Sequence, residues 1–297
     1  MTIKLTGILA AVVTPFNEDL SIDFEGIDRQ VEHIVGNGIH GLVPGGSTGE
    51  FTTLSVEERK AANKRYVDAV AGRVPVLVGT GAQTTEETIE LTRAAADDGA
   101  DGVMVVPPYY DALSFDELLD HFRSVSEAVD LPIMYYNIPS NTGVELTPEQ
   151  LAQLGRETNV FSYKNTDDDF PSFTEAVLHH ADDITALNGY DTLTFSALAL
   201  GAQAGVWGAA SILPTECRAL FDAFADRDLD RARELWRKLQ PVCVFLESHN
   251  YAAAIKAGTT LVGVPSGPVR KPVRPLSESV VEEFRQVLRS AGVDVKA

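Results

Sequence analysis

Ile39-His40-Gly41-Leu42-Val43, running into Pro44-Gly45-Gly46-Ser47-Thr48-Gly49-Glu50 and then into Ser55-Val56-Glu57-Glu58, sets out the structural unit from which this chain is built. The first residues form a short apolar run with branched side chains, and the glycines supply a turn. Ser55 with Glu58 three residues on is a helix-start signature in which each side chain satisfies an otherwise orphaned N–H. Helical spacing then continues to Ala71, with Gly72 just past the end. The same succession recurs along the chain. Apolar runs at Gly7–Val13, Ile39–Val43, Val74–Gly79, Gly102–Val106, Pro132–Asn137, Val160–Lys164, Ile184–Asn188 and Ala204–Ala209 predict eight strands. Helical patterns at Phe24–Asn37, Ser55–Ala71, Thr85–Gly99, Ser114–Val129, Thr147–Arg156 and Asp169–His180 fall between them. Strand starts lie roughly 20 to 36 residues apart, room for a strand, a helix and two short loops, which is the repeat of a parallel sheet. Eight such units in about 220 residues predict an α/β fold in the form of a closed (β/α)8 barrel of the TIM type, with an open doubly wound sheet as the alternative.

Beyond Ser211 the rhythm changes. Glu216–Arg227, Asp230–Tyr251, Ala252–Val262 and Ser277–Ala291 are helical patterns with no strand candidate between them, and Val264–Pro275 is a proline-rich loop. The expected division is a barrel over residues 1–224 and a C-terminal helical extension over residues 225–297.

Composition narrows the function classes. A chain of 297 residues with 44% hydrophobic content has the material for a large core. The formal charge of −19 argues against nucleic acid or an anionic membrane as partner, because both require a basic surface. Arginines outnumber lysines 16 to 8, and an acidic, lysine-poor surface suits a high-salt cytoplasm as well as an ordinary one. Cys217 and Cys243 have no partner at metal-ligand spacing, so buried thiols in a reducing, cytoplasmic setting are expected. Leu5–Val13 behind Lys4 imitates a signal peptide, but it runs into Thr14-Pro15-Phe16 without a small-residue cleavage site and is read as the first strand. No apolar run approaches the roughly 20 residues that span a bilayer, so a soluble protein is expected.

In a parallel barrel the loops after the strand C-termini form the active face. Lys164 interrupts the aromatic, apolar run Val160-Phe161-Ser162-Tyr163 at the end of the sixth strand. An amine there loses hydration, is pushed toward its neutral nucleophilic form, and can form a Schiff base with a carbonyl compound. The alternative is a lysine that snorkels to water or pairs with Asp167, Asp168 or Asp169. The loop from Gly45 to Glu50 brings backbone amides and the hydroxyls of Ser47 and Thr48 to one place, suited to a carboxylate, although it also reads as a plain glycine-rich turn. Tyr110 and Tyr136, after the fourth strand and at the end of the fifth, are either proton carriers or core aromatics with a satisfied hydroxyl. Asp167-Asp168-Asp169 fits the first turn of a helix better than a metal site, and the six histidines form no ligand pattern. No metal or cofactor is expected.

Gly46-Ser47-Thr48-Gly49-Glu50, Tyr136-Asn137-Ile138-Pro139, Lys164, Pro107 with Tyr109-Tyr110, Gly189-Tyr190-Asp191 and the stretch from Ala257-Gly258 to Gly267-Pro268 occur in this order over nearly the whole chain. Together they resemble the dihydrodipicolinate synthase and N-acetylneuraminate lyase superfamily of class I, pyruvate-type aldolases. The resemblance implies that Lys164 condenses with pyruvate or another 2-keto acid while Gly46, Ser47 and Thr48 hold its carboxylate. It implies that Tyr136 donates and accepts the proton, that Thr48 links it to Tyr110 of a neighbouring subunit, and that the carbonyl of Val206 lines the keto acid pocket. A homotetramer built as a dimer of dimers follows from the same resemblance.

Substrate choice turns on departures from the pattern. Chains that resemble true dihydrodipicolinate synthases carry an arginine where Asn141 stands here, and a bidentate grip on the carboxylate of aspartate semialdehyde is lost with it. Sialic acid lyases are similar at Gly189-Tyr190-Asp191 but have a glutamate in place of Thr192 and a serine in place of Gly208. A neutral pocket in which Asn141, Asn165 and Asp191 read hydroxyls suits a 2-keto-3-deoxy sugar acid such as 2-keto-3-deoxygluconate, cleaved to pyruvate and an aldehyde. Dehydration of such an acid, the dihydrodipicolinate synthase reaction, and a non-catalytic barrel that binds a keto acid are the alternatives.

Overall fold

The computed structural model describes residues 5–296; Met1 to Lys4 and Ala297, which the expected division counts into its two parts, lie outside the described residues. Eight strands, β1 (Gly7–Ala11), β2 (Gly41–Val43), β3 (Leu77–Gly79), β4 (Gly102–Val105), β5 (Ile133–Asn137), β6 (Val160–Asn165), β7 (Thr185–Asn188) and β8 (Ala204–Trp207), pair in parallel. Their order is β2-β1-β8-β7-β6-β5-β4-β3, and one parallel bridge between Leu42 and Val76 joins the two ends. The sheet is therefore a nearly closed barrel, and the open doubly wound alternative falls away.

Helices α1 (Phe24–Gly36), α2 (Val56–Val70), α3 (Thr85–Asp97), α4 (Phe115–Ala128), a single turn α5 (Pro139–Thr142), α6 (Pro148–Glu157), α7 (Phe170–His179), α8 (Thr194–Leu200) and α9 (Pro214–Ala225) surround it. Their starts follow local chemistry. Ser55, Ser114 and Thr147 each close a reciprocal capping box with the third residue of the helix, and Asp169 caps α7 by accepting from the N–H of Ser172. No helical pattern in the sequence marks α8. It has no side-chain cap and only seven residues, too few for an apolar period to show.

Because both faces of the barrel sheet are covered, its strands are buried almost throughout. Inward residues such as Leu9, Ala11, Leu77, Met104, Met134, Leu187 and Val206 form one cluster inside the barrel. Outward residues such as Ile8, Ala10, Val78, Val103 and Ile133 join the helices in a second.

The C-terminal extension consists of α10 (Leu229–Glu247), α11 (Tyr251–Leu261) and α12 (Glu278–Ser290). One helix expected over Asp230–Tyr251 stops at Glu247, because Asn250 starts a new one by accepting from the N–H of Ala253 at 3.1 Å. The turn from Ser248 to Asn250 thereby brings Tyr251 and Ala252 to the mouth of the barrel. Among the described residues no helix is long and apolar enough to cross a membrane.

Candidate active site

A cavity of about 450 Å³ opens at the C-terminal ends of the strands. Ser47, Thr48, Tyr136, Asn141, Lys164, Gly189, Asp191 and Val206, all expected site residues, line it. Their convergence follows from strand register. Tyr136 of β5 pairs with Lys164 of β6, which pairs with Leu187 of β7, and the two-residue alternation turns all three toward the barrel axis. The Lys164 amine lies 4.2 Å from the centre of the Tyr136 ring, within the reach at which a ring face attracts a cation. Lys164 is buried, and none of the ion pairs among the described residues involves it, so neither the snorkelling nor the paired reading of this lysine applies. Gly189 makes room for its stem. A Cβ at Gly189 would stand 2.5 Å from Cε and 2.6 Å from Cγ of Lys164.

The loop after β2 forms a short 3₁₀ turn over Ser47–Gly49, tied to the segment that follows β1, where the Thr14 hydroxyl donates to the carbonyl of Gly49 at 2.7 Å. Gly46 does not line the main cavity; it borders a small void beneath the loop that Tyr136 also lines. Two other expected residues stand elsewhere. Asn165, one residue beyond Lys164, faces away from the barrel axis, and its Oδ1 accepts from Nδ2 of Asn137 at 2.7 Å. It tethers β5 to β6 and is not positioned to read a substrate hydroxyl. Tyr110 lies outside the cavity and is 88% exposed in the single chain.

Asp191 is buried and its carboxylate accepts from the N–H of Ala209 at 3.2 Å and of Gly208 at 3.4 Å, with the Tyr251 hydroxyl nearby favouring its charged form. Burial pushes this carboxyl up to about 7, the hydrogen bonds opposing and the nearby Glu247 adding to the shift. Gly208 is glycine because Tyr251 occupies the adjoining space: a Cβ there would meet the tyrosine oxygen at 2.0 Å.

Glu247, which the sequence did not single out, also lines the cavity. It accepts from the N–H of Thr192 at 2.9 Å and from the Thr192 hydroxyl at 2.8 Å, so a carboxylate held by residue 192 stands beside Asp191 although the side chain comes from α10. Burial raises its pKa, against the two bonds from Thr192. One signal was available: an acid in the last turn of a helix opposes the helix dipole. Among the described residues lining the cavity, Lys164 is the sole lysine and there is no arginine.

A family model described as the dihydrodipicolinate synthetase family matches residues 4–291. The chain is 37% identical over 289 residues, covering 96% of it and 99% of its relative, to a protein of Methanoculleus marisnigri named 4-hydroxy-tetrahydrodipicolinate synthase. Further curated relatives carry the same name, which departs from the expected closeness to keto-deoxy sugar acid aldolases. Among solved structures, the prophage protein YagE of E. coli K12, described as a member of the dihydrodipicolinic acid synthase family in complex with pyruvate, superposes with a TM-score of 0.93 at 32% identity, over 97% of this chain and 99% of that one. A second, described as the first monomeric dihydrodipicolinate synthase variant, superposes with a TM-score of 0.92 at 32% identity, over 97% of each chain.

Proposed function

The chain belongs to the dihydrodipicolinate synthetase family, an enzyme family of the class I aldolase type, and on that premise we propose that Lys164 condenses with the ketone of pyruvate or a related 2-keto acid. The observation that carries this reading is the Lys164 amine, buried without a carboxylate partner over the Tyr136 ring in a cavity that the Ser47–Thr48 loop also lines. The amine adds to the keto carbon, water leaves, and the Schiff base draws electrons from the neighbouring carbon as a carbon–carbon bond is made or broken. Ser47 and Thr48 hold the keto acid carboxylate, with Gly46 shaping the loop from beneath, the Val206 carbonyl lines its seat, and Tyr136 moves the proton. The exposure of Tyr110 supports its use by a neighbouring copy, with Thr48 as the link, in a dimer or a tetramer of two dimers in the cytoplasm.

For the second substrate the names of the relatives favour aspartate semialdehyde, which makes the chain a 4-hydroxy-tetrahydrodipicolinate synthase. The cavity wall favours another reading. With Asn141 on the wall, no arginine, and Asp191 and Glu247 side by side, it suits an uncharged, hydroxylated aldehyde released from a 2-keto-3-deoxy sugar acid such as 2-keto-3-deoxygluconate, or dehydration of that acid.

Borohydride reduction in the presence of pyruvate, read by mass spectrometry, is expected to leave an N-(1-carboxyethyl) group, the reduced pyruvate Schiff base, on Lys164; an unmodified lysine overturns the Schiff-base reading. Pyruvate consumption with aspartate semialdehyde, against pyruvate release from keto-deoxy sugar acids, then separates the two second substrates.

A further inference from the structure

Glu50 closes the carboxylate loop with φ 56° and ψ 34°, in the left-handed region that residues with a Cβ seldom adopt. It joins the 3₁₀ turn Ser47–Gly49 to a second one, Phe51–Thr53, so its conformation fixes how the loop doubles back. Both side-chain oxygens face the C-terminal extension. Oε1 lies 2.7 Å from the ammonium of Lys256 on α11, with both side chains 3% exposed, and Oε2 accepts from the N–H of Arg270 at 2.9 Å.

The partners are anchored in turn. Lys256 donates to the carbonyl of Pro268 at 2.7 Å and lies 4.0 Å from the centre of the Phe16 ring, which the Arg270 guanidinium also approaches at 4.4 Å. Arg270 donates to both oxygens of Glu58 and to the carbonyls of Thr53 and Leu20. Burial brings Lys256 down to about 8, with Glu50 opposing the shift.

A buried ion pair is a poor route to stability, since well-packed apolar residues serve as well or better. Here such a pair coincides with a strained backbone, and strain of this kind persists where the surroundings over-determine a geometry. Glu50 lines the cavity but Lys256 and Arg270 do not, so whatever these two do for the reaction passes through Glu50 and its loop.

We infer that the Glu50–Lys256 pair, held by Arg270, is a positioning device for the Ser47–Thr48 loop, through which the C-terminal extension sets the affinity for the keto acid. The inference rests on the reading of that loop as the carboxylate seat. Its test is the pyruvate concentration that half-saturates the borohydride-trapped adduct on Lys164, compared in the wild type, Glu50→Gln, Lys256→Met, the double variant and Ser47→Ala. Half-saturation is expected to rise roughly tenfold or more in the single variants. It should stay raised in the double variant, in which no buried charge of the pair is left without a partner, with the plateau still near one adduct per folded chain.

A purely structural pair would lower the plateau through unfolding and leave half-saturation unchanged, and that result overturns the inference. If a single variant does not fold, the double variant decides in the same way. Unchanged half-saturation in the double variant beside a rise in Ser47→Ala removes the positioning role and leaves the Lys164 reading standing. No adduct in the wild type removes both.

Discussion

Gly189 is the tightest constraint on the candidate nucleophile. A methyl group there would overlap the Lys164 stem and stand 2.7 Å from the Thr166 hydroxyl, so the amine would have to leave its place over Tyr136. Gly189→Ala is expected to slow adduct formation about a hundredfold, since displacement of a reacting group by an ångström has effects of that order. Overpacking should destabilise the fold by only about 1–3 kcal/mol. Single-turnover trapping alongside a thermal melt checks both, and an unaltered trapping rate would mean that the lysine has another path. At this scale the sequence was legible where a residue broke its local pattern. Lys164 in an aromatic strand is such a case, and Ser47 and Thr48 in a glycine-rich loop are another. Asn165 breaks no such pattern, and strand alternation, which turns Lys164 inward, turns this neighbour outward.

Between elements, Asp191 is a junction, accepting from the first residues after β8 and lying beside the Tyr251 hydroxyl at the start of α11. Its carboxyl titrates near 7 when folded, against an ordinary value of 3.8, so between these limits the native state keeps a proton that the unfolded chain gives up. Stability therefore falls as pH rises from about 4 to 7, by up to a few kcal/mol. Denaturant unfolding at pH 5 and pH 8 should show a smaller loss in Asp191→Asn than in the wild type; equal losses would place the titration elsewhere. The strands and capped helices were legible because each rests on neighbours in sequence. The α10–α11 junction was not, and Glu247 and Tyr251 went unnoticed with it: they reach the cavity only because a turn at Ser248–Asn250 aims the extension at the barrel mouth.

On the scale of the whole molecule, the barrel is held unevenly around its circumference. Six of its eight strand junctions are ladders of three or more residue pairs, whereas β7 and β8 register at Asn188 and Gly205 alone, and β2 and β3 meet through the Leu42–Val76 bridge, with the N–H of Leu42 donating to Pro75 and that of Gly79 to Pro44. Local opening follows the thinnest set of protecting bonds, so the amides of Leu42 and Gly79 are expected to exchange with solvent faster than those in β5 and β6. The seam has a further consequence for ligand binding. The residues just beyond β2 form the loop proposed to seat the carboxylate, and a keto acid bound there and to Lys164 would strap one side of the seam to the far wall of the barrel. Pyruvate should therefore slow hydrogen exchange at Leu42 and Gly79, two amides it does not touch. The molecule would behave as a hoop whose clasp is tightened by its own substrate, and exchange rates indifferent to pyruvate would show that the clasp is already shut.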